Sequence, residues 1–198
     1  PEDYGYSLLI VNTGGSHADL TDSYRYIPLE MTSVARIFGK EVLRGVSLED
    51  LKAKIDEIRK TFGDRAFVRA YHFITENERA QKITEAITKG DIDEYLEIVH
   101  RSSESSWKYL QNLYPNESPR DEGLVVALAM TEEFFDRKTA GKVVCRVHGG
   151  GFAGTIQVYV PREYRDLYTE EMQKLFGKGA VFPLRIRPYG VVCIDRVD

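Results

Sequence analysis

An α+β domain, a mixed or antiparallel sheet with helices packed over it, is the fold this sequence predicts. Three observations carry the prediction. A β-like run opens the chain at residues 6–12. A long central stretch has helical periodicity and helix-capping signals. The last third returns to strand-like alternation interrupted by a single amphipathic helix.

The elements follow in order. Leu8, Leu9, Ile10 and Val11 are consecutive apolar residues before Thr13-Gly14-Gly15-Ser16, so residues 6–12 read as a buried strand ending in a turn. Residues 29–38 read as a helix closed by Gly39. Ser47, with Asp50 three residues on, caps a helix through Leu51, Ile55, Ile58 and Phe62 to Gly63. Asp64 caps a long helix to Lys89, stopped by Gly90, with Phe67, Tyr71, Ile74, Ile83 and Ile87 as its apolar stripe. Asp91 caps the next helix, with Ile92, Tyr95, Leu96 and Val99 inward. Residues 105–113 read as helix until Tyr114-Pro115-Asn116-Glu117-Ser118-Pro119 breaks it. Residues 121–136 read as a largely apolar, buried helix. Val143, Cys145 and Val147 alternate, as do Ile156, Val158 and Val160, which predicts a hairpin whose second strand stops at Pro161. Residues 165–176 form an amphipathic helix ended by Gly177, and residues 180–186 and 191–194 are further strands.

The chain has 198 residues, 42% hydrophobic and 29% charged, which suits one domain over residues 1–198. A net charge of −4, with no basic block interleaved with aromatics, argues against nucleic acid as a partner. No apolar run is long enough for a bilayer, which argues against a membrane partner. Cys145 and Cys193 sit in apolar β-like runs and read as buried, reduced thiols, the pattern of a cytoplasmic protein. Pro1-Glu2-Asp3 leads almost at once into a strand, so the start reads as that of an excised piece.

The hairpin encloses His148-Gly149-Gly150-Gly151-Phe152-Ala153-Gly154, with four glycines in six residues. Such a loop either lets backbone N–H groups approach a phosphate or turns very tightly. Gly149, Gly151 and Gly154 match G-x-G-x-x-G, but the dinucleotide fingerprint must open a helix, and a β-branched alternating run follows here. His148 either contacts phosphate or ends the strand. His17, in the turn after the first strand, either faces the site or caps the turn. His72 and Glu76 stand at i, i+4 with Arg69 and Arg79 on the same face. A metal site would need a third ligand, so they read as a solvated or interdomain polar stripe and no metal is expected.

The stretch from Arg146 through His148 to Gly154 resembles the third signature motif of the GHMP small-molecule kinases, and most closely that of galactokinases. Those usually carry Arg-Met-Thr-Gly-Gly/Ala-Gly-Phe-Gly-Gly; His148 stands for the threonine and Ala153 for one glycine. Asn12-Thr13 through His17 to Tyr24, with Val34-Ala35-Arg36 and Gly39, resembles the segment that opens the galactokinase C-terminal domain. Arg69-Ala70-Tyr71-His72 with Glu76 resembles its Arg-Ala-Arg-His…Glu helix, and Ser102-Ser103-Glu104-Ser105 its Ser-His-x-Ser stretch. The resemblance covers nearly the whole chain in order.

The resemblance implies a GHMP-kinase C-terminal fold, related to the ferredoxin-like folds, and one half of a sugar kinase. The Gly-Leu-Ser-Ser-Ser-like loop around ATP, the Gly-Glu-His-x-Asp-Tyr sugar segment and the catalytic aspartate of that family are not found in this chain. It follows from the resemblance that no catalytic base lies here. ATP and Mg2+ would be bound mainly by an N-terminal kinase domain of the same polypeptide, the expected partner beside a small-molecule sugar. Residues 148–154 would form the phosphate-side wall. Galactokinases usually carry Ser-Leu-Arg-Asp-Asp-Tyr where this chain runs Ser105-Ser106-Trp107-Lys108-Tyr109-Leu110. Trp107 and Tyr109, with His17, are therefore the candidate sugar-wall residues, and a sugar other than galactose is open. The implied activity is ATP-dependent phosphorylation of a sugar hydroxyl, the anomeric one by resemblance. The alternative is a non-catalytic sugar or nucleotide sensor. In the intact protein, a valine at position 151 is expected to impair turnover more than folding, because a Cβ blocks backbone approach. The glycine-loop face is expected to expose an apolar patch where the partner domain docks.

Overall fold

Strands β1 (Tyr6–Asn12), β2 (Val144–His148), β3 (Thr155–Pro161) and β4 (Val181–Leu184) form one sheet in the order β2-β3-β1-β4. Every pairing is antiparallel. This computed structural model describes residues 2–15, 20–118, 120–138, 144–187 and 189–190.

The alternation sorts the two faces. Leu9, Val11, Cys145, Val147, Ile156, Val158 and Val160 share one buried core with α6 (Gly123–Lys138) and α7 (Arg165–Phe176). Each such aliphatic side chain contributes about 1.5–3 kcal/mol by leaving water. On the other face Leu8, Val144 and Tyr159 pack against Leu96 and Val99 of α5 (Ile92–Ser105). The Tyr95 and Tyr159 hydroxyls meet there at 2.5 Å. A third core joins α1 (Thr21–Ile37), α2 (Leu48–Ala53), α3 (Ile55–Phe62) and α4 (Asp64–Lys89) through Val34, Leu51, Ile58, Ala70 and Ile74.

Local signals place several boundaries. Ser47 and Asp50 form a reciprocal capping box, Asp91 caps α5 through the Glu94 N–H at 2.9 Å, and Gly90 ends α4 in the left-handed region at φ 69°. Five expectations are corrected. The helix expected over 29–38 begins two turns earlier and runs through Pro28. The single helix expected over 47–62 is broken at Lys54. Asp64 is the first helical residue rather than a cap, and its carboxylate pairs with Arg59 at 2.6 Å. Ile87 is 61% exposed, whereas Arg69 and His72 of the same helix are buried. The strand expected over 180–186 is four residues long.

Cys145 is buried, and burial pushes its thiol well above the ordinary range. Cys193, Val143 and the strand expected over 191–194 lie outside the described residues. Among the described residues, no helix is long and apolar enough to cross a membrane.

Candidate functional site

The β2–β3 hairpin pairs His148 with Thr155, so the glycine loop is the hairpin tip. Its glycines are needed for two reasons. Gly149, Gly151 and Gly154 hold φ of 81°, 86° and 95°. A Cβ on Gly150 would lie 2.9 Å from Tyr24 Cε1, and one on Gly151 would lie 2.6 Å from Asn112 Nδ2 and collide with the Asn112 main-chain oxygen. The loop is tied down accordingly. The Phe152 N–H donates to the Asn112 main-chain oxygen at 2.5 Å, Asn112 Nδ2 to the Gly150 oxygen at 3.1 Å, and the Tyr24 hydroxyl to the Gly151 oxygen at 2.7 Å. Thr13 holds the Gly154 oxygen with both its N–H and its hydroxyl, each at 2.9 Å.

Phe152, 1% exposed, meets Tyr24 edge-on at 5.0 Å and, with Ala153, packs on Leu20 and Ile27. The loop's own apolar residues are thus covered by α1, whereas Val126 of α6, on the cleft beside the loop, is half exposed. The exposed apolar side chains include Phe182 and Leu184 of β4 and Ile186 beyond it. A valine at position 151, expected to impair turnover more than folding, would also disturb the fold, because the space a Cβ would fill belongs to Asn112.

A cleft of about 750 Å³ opens beside the loop, between Phe152, Ala153, the Thr13–Gly15 turn, Leu20 and the start of α6. Glu117, Arg120, Asp121 and Glu122 are among its lining residues. Hydrogen bonding from Ser23 holds the Glu117 carboxyl below its ordinary value. His148 ends β2 on the surface, its Nδ1 3.0 Å from Gln157 Oε1. Trp107 and Tyr109 do not line this cleft; they sit on a π-helical turn, Ser106–Leu110, that continues α5. Trp107 is 46% exposed, and Tyr109 packs edge-on against Tyr71 at 5.1 Å. His17 lies outside the described residues.

The residues read as a solvated or interdomain polar stripe form an inward network. Arg69 is 0% exposed and bridges three elements: Nη1 to Glu30 of α1 at 2.8 Å and Nε to the Leu110 oxygen at 3.0 Å. Burial pulls its guanidinium below its ordinary value, against the Glu30 charge. Further along α4, Arg79 donates to Glu76 at 2.7 Å and to Ser105 Oγ at 2.8 Å. Ser102 donates to the other Glu76 oxygen, and Arg146 of β2 donates to Ser102 Oγ at 2.8 Å. His72 Nδ1 completes the cluster 2.9 Å from Ser105 Oγ. The cluster thus gathers Arg146, the Ser102–Ser105 segment and the His72–Glu76 segment around the strand that leads into the glycine loop.

Sequence reasoning missed Asn112 and the role of Tyr24. Neither carries a local signal, since their partners lie 38 and 127 positions away. The backbone marks the place instead. Gln111 at φ 58° and Phe152 at φ 63° are the two non-glycine residues in the left-handed region among the described residues. That region costs a side-chain-bearing residue about 1–2 kcal/mol. Substituting Gln111→Gly is expected to raise stability by up to about 1 kcal/mol once glycine's extra unfolded-state entropy is counted, read as an increase in urea midpoint. A decrease would mean that the Gln111 side chain carries more than its long contact to the Lys108 oxygen.

No family model matches the chain. It is 28% identical over 181 residues to a galactokinase of Mannheimia succiniciproducens, covering 89% of this chain and 44% of the relative. It is likewise 28% identical over 172 residues to a galactokinase of Thermotoga neapolitana, covering 87% of this chain and 43% of the relative. The solved Lactococcus lactis galactokinase, crystallised with galactose, superposes with a TM-score of 0.64 at 18% identity, over 87% of this chain and 42% of that one. The chain is galactokinase-like. It spans less than half the length of the curated relatives it matches. The galactokinase-like chain shares with the Lactococcus structure the helices-on-antiparallel-sheet fold, which is the fold the resemblance implies.

Proposed function

We propose that this chain is the C-terminal, substrate- and phosphate-side half of an ATP-dependent sugar kinase of galactokinase-like type. The observation that carries the reading is the convergence of its motif segments: the 69–76, 102–105 and 146–154 stretches are far apart in sequence and meet in one braced unit behind the glycine loop. In this reading the attacking sugar hydroxyl forms a bond to the γ-phosphorus of ATP and the β,γ-bridging bond breaks, leaving ADP. The hydroxyl proton passes to a base outside this chain. Residues 148–154 act as the phosphate-side wall, whose rigid backbone dipoles orient the transferring group. Trp107 and Tyr109 offer flat faces to a pyranose ring.

The nucleotide is assigned elsewhere in the intact protein. The cleft beside the loop is lined by Glu117, Asp121 and Glu122 with one arginine, Arg120, a net-negative lining that repels a triphosphate. Of the loop's backbone donors, the Phe152 N–H is already engaged by the Asn112 main-chain oxygen. In this reading ATP and Mg2+ belong mainly to the expected N-terminal domain, as the family resemblance implies.

The test is phosphotransfer by the galactokinase-length protein that contains this chain, against a panel of free pyranoses and their methyl glycosides. Turnover with a free sugar and none with its methyl glycoside is expected. Sugar binding without ADP release would favour the sensor reading. Robust sugar-dependent turnover by the 198-residue chain alone would overturn the half-site assignment.

A further inference from the structure

We infer that Asn112 is a positioning residue: it latches the π turn that carries Trp107 and Tyr109 to the glycine loop, so that the two form one rigid unit. The inference rests on reading these segments as the sugar-side and phosphate-side walls of a phosphotransfer site. Four independent irregularities meet at this residue. The π turn closes through the Gln111 N–H, which donates to the Ser106 oxygen at 2.8 Å. Such widened turns persist where something outside the helix holds them. Gln111 then takes a left-handed conformation, and Asn112 follows it.

The main-chain oxygen of Asn112 accepts from Phe152, the other non-glycine left-handed residue among those described. One peptide oxygen therefore joins the two strained positions. Strain of this kind survives only where the surroundings over-determine it. Asn112 also reaches the loop with its side chain, through Nδ2 to the Gly150 oxygen, and fills the space beside Gly151.

The last irregularity is polar. Among the described residues, the buried side-chain atoms with no hydrogen-bond partner are Asn112 Oδ1 and Arg69 Nη2. Asn112 is 3% exposed, and Arg69 grips Leu110, two residues before it. Buried polar groups are rarely left this way, and the two flank one short segment. Asparagine suits the role because it donates to a carbonyl from a short side chain. Aspartate would set a carboxylate against the Gly150 oxygen, and glutamine is one methylene too long for the gap beside Gly151.

The test is amide hydrogen exchange of the full 198-residue chain, wild type against Asn112→Ala. Exchange is expected to accelerate about tenfold or more in residues 106–112 and 149–154 together, with α7 unchanged, as local opening of a coupled unit requires. Acceleration confined to 106–112, or spread evenly through the chain, would overturn the latch. If Asn112→Ala does not fold, Asn112→Ser, which keeps the main-chain acceptor and a neutral polar group but withdraws the Nδ2 donor from the Gly150 oxygen, is read the same way. In the galactokinase-length protein, Asn112→Ala is expected to lower kcat for sugar phosphorylation by about tenfold or more while the KM for ATP stays within about twofold. An unchanged kcat with a lowered Tm would reduce Asn112 to a packing residue. Absence of sugar turnover in the wild type would sink the kinase reading while leaving the exchange experiment to decide the latch.

Discussion

Alanine at position 151 is expected to cost the folded chain about 3–5 kcal/mol, close to the whole stability of many domains of this size. Two costs combine. Gly151 holds φ 86°, where an alanine is strained by about 1–2 kcal/mol. The added Cβ also enters the volume of Asn112, where the nearest atoms are its main-chain oxygen and amide group. Backbone cannot rotate away as a flexible side chain can, so the clash is relieved only by moving Asn112 off the loop. That movement breaks the Phe152 N–H bond and exposes or misplaces the buried Phe152 ring. Gly149→Ala is the control. Its φ is 81°, but its Cβ would meet nothing within 4 Å, so the cost is the strain alone, about 1–2 kcal/mol. Urea melts of the two variants decide the matter. A Gly151→Ala protein within about 1 kcal/mol of Gly149→Ala would show that the loop is not seated on Asn112.

The second large effect is acid loss of stability centred on His72. Burial pushes its imidazole down to about 4, with Arg79 and Arg146 adding to the shift and Glu76 opposing it. The hydrogen bonds explain why the neutral ring is preferred. Arg79 already donates to Ser105 Oγ, so the Ser105 hydroxyl proton is free to donate to His72 Nδ1. A protonated ring would instead bring a second donor against the same oxygen. Because the folded pKa lies below the unfolded value near 6.5, the unfolded chain binds the extra proton first. The contribution is complete above pH 6.5 and is lost as pH falls through 6.5 toward 4, up to about 3 kcal/mol.

Glu76 acts in the same direction at lower pH. Its burial raises the carboxyl, but hydrogen bonds from Ser102 and Arg79 hold it below its ordinary value on balance. The window between pH 6.5 and 4 therefore reports His72. The variant His72→Asn, which keeps an acceptor near Nδ1 and cannot titrate, is expected to flatten the stability curve there. A wild-type curve that is flat from pH 6.5 to 4 would mean that water reaches His72.

Much of the fold was legible because local physics decides it. Helix α7 appears over Arg165–Phe176 and stops at Gly177, as its pattern predicts. The capping box at Ser47 and Asp50 and the left-handed Gly90 form as their sequence offsets require. The alternation of Cys145, Val147, Ile156, Val158 and Val160 put these residues on one buried face. Local reasoning failed where distant contacts override it. Pro28 removes a helical hydrogen bond, so a helix that begins after it is the local expectation. The first turns of α1 form nonetheless, held by Tyr24 on Phe152 and Gly151 and by Ser23 on Glu117. The polar positions of α4 read as solvent-facing because an isolated helix offers arginine and histidine nothing but water. Glu30, Leu110, Ser105 and Glu76 supply what water would.

The candidate site divides along the same line. That a hairpin tip rich in glycine follows Arg146, and that its successor is a strand, is decided by residue type and period two alone. Why four glycines are needed is not. Positive φ accounts for Gly149, Gly151 and Gly154. The closeness of Tyr24 and Asn112 accounts for Gly150 and again for Gly151. Those neighbours arrive from an early helix and from a π turn in mid-chain, and only the packed chain brings them to the loop.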